Sequence, residues 1–233
     1  MNTDPEPVVA LVVAAGSGSR LGAERPKALV RVGDRTLVEH SVEAMASGGC
    51  SAVLVVIGEG LDAEFSAALA EAPVPCHLVT GGATRQLSVR AGLKALDATP
   101  ELAGATIVLV HDAARPFVPV EVTQSVIAEV AGGAPAVVPV VEVADTIRQL
   151  SRGDSSVLDR DSLRAVQTPQ GFDRQTLSEA HDEIADFGVE VTDDAAVVEY
   201  VNVPVTLVRG AFEALKVTRP TDLLVAEAIW SAR

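Results

Sequence analysis

The sequence has few aromatic residues, few cysteines and no long hydrophobic run, and these shortages exclude several classes of protein. Only 3% of its 233 residues are aromatic, and its two cysteines, Cys50 and Cys76, lack metal-ligand spacing. Without an N-terminal secretory signature, two such cysteines indicate a reduced, cytoplasmic protein. No run approaches the ~18 apolar residues that a membrane span requires, so we expect a soluble protein.

Positive charge is also scarce. The chain has 18 Lys and Arg against 32 Asp and Glu, which gives a formal net charge of -14. Nucleic acids and anionic membranes are attracted over long range by a basic face, so neither is predicted as a partner. Any anionic ligand must therefore be met by local cations. The hydrophobic fraction of 48% supports a substantial core, and we expect a single domain over residues 1–233.

Short valine-rich runs alternate with segments of helical periodicity. Continuous apolar runs are typical of strands buried on both faces of a parallel sheet, and repeated strand-helix-strand order favours right-handed crossovers. The pattern predicts an α/β, Rossmann-like three-layer sandwich with a mostly parallel twisted sheet. In such sheets ligands bind beyond the carboxyl ends of the strands. The runs cover residues 8–14, 52–58, 76–80, 106–110, 136–143 and 205–210.

One segment interrupts this alternation. Residues 145–164 are strand-like on either side of the turn-rich SRGDSS and have no helical period long enough for a crossover. The segment predicts a β-arm at about residues 143–165 that projects from the body.

Local chemistry marks three helix starts. Thr36 and Glu39 have the spacing of a capping box, and Thr84 can cap the helix after the third run. In TDDAAVVEY, Thr192 can cap a further helix, whose positive end suits the two aspartates that follow.

The first strand ends in the glycine-rich stretch GSGSRLGAERPK. A dinucleotide fingerprint fails here because Gly22 stands one position late and no helix follows directly, and a Walker phosphate loop cannot be written. What remains is a long turn whose amides can face an anion, with Arg20 and Lys27 to hold it. The simpler alternative is a tight turn made by Gly16 and Gly18 with two solvated cations.

Two further strand ends also carry polar chemistry. GGATRQLS, residues 81–88, permits close backbone approach and places Arg85 and Ser88 one helical turn apart. VHDAARP, residues 110–116, presents His111 and Asp112 where a strand stops. Asp112 is the best candidate for a Mg²⁺ ligand, although an ordinary turn aspartate is the alternative. His111 has no nucleophile to activate and is expected to be structural.

A set of motifs in order along nearly the whole chain resembles the isoprenoid-pathway cytidylyltransferase family. The resemblance implies that the phosphate of methylerythritol phosphate attacks the α-phosphorus of CTP with Mg²⁺ and releases pyrophosphate. It also implies a homodimer in which the arm of one subunit completes the site of the other. The motifs are AAGSGSRLGAERPKAL, TGGATRQLSVRAGL, VHDAARP, ADTIR, LDRDSLRAVQTPQGF, TDDAAVVEY and LKVTRP.

The resemblance implies a role for each matching residue. The residues expected to bind CTP are Ala14, Ala15, Gly16, Gly18, Gly82, Arg85 and Ser88. The expected catalytic cations are Arg20, Lys27, Arg160 and Lys216. The expected sugar-phosphate site comprises Asp112, Arg115, Thr146, Arg160, Thr168 and Lys216, with Asp112 also holding Mg²⁺.

The chain departs from the family pattern at two positions. Ala83 replaces an acidic residue of the cytosine loop, so base recognition would depend on backbone groups and Ser88. Ala214 replaces an asparagine, which leaves a second metal ligand in doubt even though Glu213 is adjacent. Ribitol 5-phosphate remains an alternative acceptor, and a nucleotide-binding protein without turnover is a more remote alternative. The failed fingerprint argues against an NAD-linked oxidoreductase.

Overall fold

A mostly parallel sheet forms the centre of the protein. The computed structural model describes residues 7–16, 18, 21–22, 25–187 and 191–233. The strands are β1 (Val8–Val13), β2 (Arg31–Val32), β3 (Arg35–Thr36), β4 (Ala52–Ile57), β5 (Cys76–Thr80), β6 (Ile107–Asp112), β7 (Ala136–Glu142), β8 (Arg148–Ser151), β9 (Asp154–Val157), β10 (Arg164–Val166), β11 (Gln170–Asp173) and β12 (Thr206–Arg209). The helices are α1 (Leu37–Ser47), α2 (Asp62–Ala68), α3 (Arg85–Ala98), α4 (Val120–Ala131), α5 (Arg174–Phe187), α6 (Asp194–Tyr200) and α7 (Pro220–Ser231).

Eight of the described strands form this sheet. Its order is β10-β7-β11-β6-β1-β4-β5, and β12 also pairs with β7. β5, β4, β1 and β6 pair in parallel, as do β7 and β12, whereas β10 and β11 run antiparallel to their neighbours. The predicted runs thus correspond to six strands, and the mostly parallel sheet is confirmed.

The sheet is buried on both faces. Alternate residues of β1 point to opposite sides, so Val8, Ala10 and Val12 belong to one core cluster and Val9 and Leu11 to the other. α1, α2 and α4 pack on the first face, and α3, α5 and α6 pack on the second. This arrangement explains the continuous apolar runs, because neither face of a central strand meets water. The three-layer prediction is confirmed.

Two predicted element boundaries differ in the structure. β6 continues through His111 and Asp112, because its neighbour β1 still pairs with both residues at this end. The N-cap of α6 is Asp193 and not Thr192, since the Asp193 side chain accepts a hydrogen bond from the Ala196 amide at 3.0 Å. The capping box of Thr36 and the cap at Thr84 are formed as predicted.

The predicted arm contains a β-hairpin. β8 and β9 pair antiparallel from Arg148 with Val157 to Ser151 with Asp154. Within the described part of the chain these two strands pair only with each other. Leu150 is 80% exposed and Val157 57% exposed. The hairpin therefore presents apolar side chains that the rest of the described chain does not cover. None of the described helices has the length and apolarity of a membrane span.

Candidate active site

A cavity of about 780 Å³ opens at the carboxyl ends of β1, β4, β5 and β6. The turns after these strands form its walls, as expected for an open parallel sheet. Two of the chain's three lysines line it, and the third, Lys94, is exposed on α3. The cavity is lined by Val13, Ala14, Ala15, Gly16, Lys27, Ala28, Gly58, Glu59, Gly81, Gly82, Ala83, Thr84, Arg85, Ser88, Asp112, Ala113, Ala114 and Lys216.

Three cations surround the carboxylate of Asp112 on the cavity floor. Nζ of Lys216 lies 2.7 Å from Oδ2, and Nε of Arg115 lies 3.8 Å from the same oxygen. Nε of Arg85 lies 3.4 Å from Oδ1. Burial alone would raise the pKa of Asp112, but Arg85 and Lys216 outweigh burial and hold it well below the usual range. Asp112 is therefore ionised at neutral pH, and the three cations together exceed its charge.

Hydrogen bonds from neighbouring elements fix the position of Asp112. Its backbone amide donates to Oγ1 of Thr168 at 3.1 Å. The same hydroxyl lies 2.9 Å from Nδ1 of His111, whose Nε2 lies 3.1 Å from the Arg115 carbonyl. Burial lowers the pKa of His111 to about 4. His111 is thus neutral near pH 7 and serves to connect the end of β6 to the turn that carries Arg115.

The segment before α7 places Lys216 at the cavity. Nη1 of Arg115 donates to the Ala214 carbonyl at 2.8 Å, and the amide of Val217 donates to the Ala114 carbonyl at 2.8 Å. These two bonds bracket Lys216 in the chain. Nζ of Lys27 donates to the Val217 carbonyl at 3.3 Å, which ties the glycine-rich loop to the same segment. The two lysines therefore approach the cavity from adjoining segments.

The loop between β5 and α3 forms the opposite wall. Oγ of Ser88 accepts a hydrogen bond from the Gly82 amide at 3.2 Å and donates to the Thr84 carbonyl at 2.9 Å. A Cβ at Gly81 would lie 2.7 Å from that Oγ, so the turn cannot carry a side chain there without a shift. This wall offers backbone groups and the hydroxyls of Thr84 and Ser88, which suit recognition of a base edge.

The residues on the cavity floor fit a divalent cation only in part. Asp112 offers one hard oxygen ligand, and Glu59 is the other carboxylate that lines the cavity. Among the described residues no three His, Cys, Asp or Glu side chains are grouped as a metal site. Mg²⁺ is commonly held by one or two carboxylates together with substrate phosphates. The side chains therefore fit a metal ion that arrives with a nucleotide.

The structure brings most of the predicted site residues to this cavity. Gly18 packs against the Lys27 side chain, and Arg115 and Thr168 contact Asp112. Thr146 and Arg160 lie in the arm region, and Nη1 of Arg160 donates to the Ala144 carbonyl at 3.0 Å. Arg20 lies outside the described residues. The predicted residues that line the cavity are Ala14, Ala15, Gly16, Lys27, Gly82, Arg85, Ser88, Asp112 and Lys216.

Sequence reasoning missed two sets of buried polar contacts around Asp194 and Gln167. Nη1 of Arg85 forms a 2.6 Å ion pair with Asp194, and Nε2 of His181 lies 3.1 Å from the other oxygen of Asp194. Gln167 bonds both backbone groups of Ala211, with its Nε2 donating at 2.8 Å and its Oε1 accepting at 3.1 Å. Two signals were present in the sequence: the pair of aspartates in TDD, of which one serves as a cap, and the position of Gln167 within LDRDSLRAVQTPQGF.

The chain is similar to one well-defined family over nearly its whole length. The family model described as "IspD: 2-C-methyl-D-erythritol 4-phosphate cytidylyltransferase" matches residues 8–232. A protein of that name from Streptomyces coelicolor is 45% identical over 98% of this chain and 87% of its own length. Another from Saccharopolyspora erythraea is 44% identical over 95% of this chain and 98% of its own length.

Solved structures agree with these relatives. The 2-C-methyl-D-erythritol 4-phosphate cytidylyltransferase of Thermus thermophilus is 38% identical and superposes with a TM-score of 0.75, covering 96% of this chain and 98% of its own. The 4-diphosphocytidyl-2C-methyl-D-erythritol synthase of Anaerococcus prevotii is 26% identical with a TM-score of 0.84, covering 98% of this chain and all of its own. Fold and sequence therefore indicate the same family.

Proposed function

The chain belongs to the 2-C-methyl-D-erythritol 4-phosphate cytidylyltransferase family, and we propose that the 780 Å³ cavity is the active site of that reaction. The enzyme transfers the cytidylyl group of CTP to 2-C-methyl-D-erythritol 4-phosphate in isoprenoid biosynthesis. The products are 4-diphosphocytidyl-2-C-methyl-D-erythritol and pyrophosphate. One observation carries the assignment of the site: Arg85, Arg115 and Lys216 surround Asp112 in a chain of net charge -14.

The reaction requires no general base. A phosphate monoester has its second pKa near ~6, so the acceptor is mostly a dianion at pH 7 and is already a nucleophile. One of its oxygens forms a bond to the α-phosphorus of CTP as the bond from that phosphorus to the pyrophosphate oxygen breaks. No proton has to move in this step. The absence of a Ser/His/Asp set among the described cavity residues is consistent with this chemistry.

The cations of the cavity bring two polyanions together and stabilise charge at the α-phosphorus. Lys27 contacts the nucleotide phosphates from the glycine-rich loop, and Arg20 belongs to the same loop. Lys216 and Arg115 hold the acceptor phosphate beside Asp112. Asp112 and the nucleotide phosphates would hold Mg²⁺, which when bound neutralises charge on the transferred group.

The base lies against the wall formed by residues 81–88. Gly82 and Ser88 supply backbone groups and a hydroxyl to the cytosine and ribose, as the cavity lining allows. Ala83 offers no carboxylate to the base. The enzyme acts in the cytoplasm, where its two cysteines remain reduced.

The second half of the proposal is a homodimer in which the arm completes the neighbouring site. Arg160 is 56% exposed and does not line its own cavity. Apolar side chains are uncovered both on the hairpin and at the sheet edge, where Leu207 is 57% exposed and Phe212 71% exposed. A groove of about 1070 Å³ is lined by Leu207 and Phe212 together with residues of α4 and β7. A second copy of the chain would cover these surfaces and bring its Arg160 to the acceptor phosphate.

Pyrophosphate release tests the assignment directly. The enzyme is supplied with Mg²⁺ and CTP, and release is followed in parallel with 2-C-methyl-D-erythritol 4-phosphate and D-ribitol 5-phosphate as acceptors. We expect fast release with the first acceptor and little with the second. UTP in place of CTP tests base recognition by the wall around Ser88. A preference for ribitol phosphate would overturn the acceptor, and no release with either acceptor would overturn the assignment of this chain.

A further inference from the structure

A line of paired polar side chains runs from the cavity into the interior. Lys216 pairs with Asp112 at 2.7 Å, Asp112 with Arg85 at 3.4 Å, and Arg85 with Asp194 at 2.6 Å. His181 ends the line, with Nε2 3.1 Å from Oδ1 of Asp194. The side chains of Asp194 and His181 are each only 1% exposed. Arg85, at the start of α3, therefore connects the cavity to two buried side chains, Asp194 and His181.

Asp194 occupies a position that demands an explanation. The capping role at the start of α6 belongs to Asp193, which is itself held by Nε2 of Gln170 at 2.8 Å. Asp194 is thus free of that role and points inward. Burial would raise its pKa, but Arg85 and His181 outweigh burial and lower it, so the carboxylate stays charged. A buried charge is costly unless it is paired, so Asp194 depends on its contacts with Arg85 and His181.

The ion pair with Asp194 determines how Arg85 contacts Asp112. Arg85 gives its Nη1 to Asp194 and only its Nε to Asp112. Oδ2 of Asp112 consequently remains directed at Lys216. A guanidinium without Asp194 would be free to place its planar fork on both oxygens of Asp112, because bidentate pairing is the preferred Arg-carboxylate geometry. Lys216 would then lose its partner.

We propose that Asp194, oriented by His181, is a positioning residue that acts through Arg85 to keep Asp112 and Lys216 in their reactive arrangement. Asp194 touches no substrate in this scheme. Nε2 of His181 carries the proton that is donated to Asp194, since an ionised carboxylate can only accept. The inference deepens the proposed function and rests on it for the identity of the substrates.

A double-mutant cycle tests whether Asp194 acts through Arg85. Asp194→Asn, Arg85→Gln and the double variant are compared by kcat, by KM for both substrates and by the calorimetric affinity for CTP. We expect Asp194→Asn to lower kcat by about 10- to 100-fold, as loss of a supporting partner typically does. In the Arg85→Gln background the same change is expected to have almost no further effect. Additive losses, or wild-type kcat in Asp194→Asn, would overturn the proposal.

His181 provides a second test if Asp194→Asn does not fold. His181→Gln keeps an N–H donor for Asp194 and is expected to retain nearly full kcat. His181→Leu removes the donor and is expected to lower kcat in the same direction as Asp194→Asn. Equal kcat in the two variants, both folded by circular dichroism, would contradict the role given to His181.

Asp182→Asn is the matched control. Asp182 pairs with Arg90 at 2.9 Å and so joins α3, which carries Arg85, to α5, which carries His181, but its side chain is 66% exposed. We expect wild-type kcat and CTP affinity for this variant. The CTP-affinity cycle also separates two failures: if wild-type enzyme binds CTP without turnover, the proposed reaction fails while coupling between Asp194 and Arg85 is still measured. Absence of that coupling in an active wild-type enzyme overturns the positioning role alone.

Discussion

A Cβ atom added to Gly18 would lie 2.5 Å from Cβ of Lys27. Gly18 also has a φ angle of +69°, a backbone conformation that residues other than glycine rarely adopt. The glycine-rich loop therefore closes directly onto the stem of the lysine that faces the cavity. The spacing between Gly18 and Lys27 in the sequence reflects this contact rather than a dinucleotide fingerprint.

We predict that Gly18→Ala displaces Lys27 and lowers kcat/KM by about 10²-fold, because a shift on the order of 1 Å in a positioning group costs that much. Gly22→Ala is the matched control. Gly22 lies in the same loop with φ of +68°, but a Cβ there would meet nothing within 4 Å. Gly22→Ala therefore introduces backbone strain without a steric clash with Lys27. The measurement is kcat/KM for CTP in both variants. An equal decrease in kcat/KM in the two variants would contradict a role for the contact with Lys27.

The lysine itself gives the second prediction. Lys27→Met removes a preorganised cation and is expected to lower kcat by about 10²- to 10³-fold. The free energy of unfolding should fall by only about 1 kcal/mol, which is the usual contribution of a hydrogen bond such as the one from Lys27 to the Val217 carbonyl. Lys94→Met, at an exposed position of α3, is the control and should match wild type in both respects. A Lys27→Met enzyme with wild-type turnover would remove Lys27 from the mechanism.

Sequence reasoning could locate the strands and the loops at their carboxyl ends. Valine-rich runs bounded by glycine define the sheet, and the topology of a parallel sheet then gathers Lys27, Arg85 and Asp112 at one edge. The end of β6 was harder to place, because His111 and Asp112 are polar residues that nevertheless still pair with β1 in the sheet. Pairing with neighbouring strands is a tertiary property that a local pattern does not contain.

The contacts beneath the cavity could not have been predicted from the sequence. Arg85 and Asp194 are 109 positions apart in the chain. Within its own segment, each has the pattern of an ordinary charged residue. Arg85 was expected to bind nucleotide, and it lines the cavity while also forming the buried ion pair. Long-range ion pairs depend on how α3 and α6 pack, which only three-dimensional coordinates specify.

The third prediction concerns acid stability and His40. Burial lowers the pKa of His40, and its Nε2 lies 2.9 Å from the Val32 carbonyl. In the unfolded chain His40 is therefore protonated below about pH 6.5, whereas in the folded chain it stays neutral to lower pH. The free energy of unfolding consequently falls as the pH falls below that value. Urea unfolding at pH 7.5 and 5.5, followed by the fluorescence of Trp230, 4.8 Å from the His40 ring, measures the loss.

His40→Gln is the comparison for this prediction. Glutamine retains a donor for Val32 but does not titrate, so the difference in stability between the two pH values should shrink. Part of the difference will remain, because burial also lowers the pKa of His111 to about 4 and that residue contributes in the same window. An unchanged pH dependence in His40→Gln would show that His40 does not titrate as inferred.

The fourth prediction concerns the cysteines. Burial raises the pKa of the Cys50 thiol to about 12 and that of Cys76 to about 11. The thiolate is the reactive species, so both thiols should react slowly with Ellman's reagent at pH 8 in the folded protein and rapidly in urea. Cys76 is less buried and should react first. Immediate reaction of either thiol in native buffer would contradict this prediction.

The last prediction tests the arm. If Arg160 of one subunit completes the site that contains Lys27 of the other, then Arg160→Ala and Lys27→Met are each poorly active alone but complement when mixed. Half of the resulting dimers are mixed and each carries one intact site, so recovery should approach about a quarter of wild-type activity in a two-fold symmetric dimer. Lys27→Met mixed with Lys216→Met is the control. Both lysines line the same cavity of one chain, so no combination of those two variants restores a site. Subunit exchange is verified with differently tagged copies, and complementation absent despite exchange would leave Arg160 acting within its own subunit or not at all.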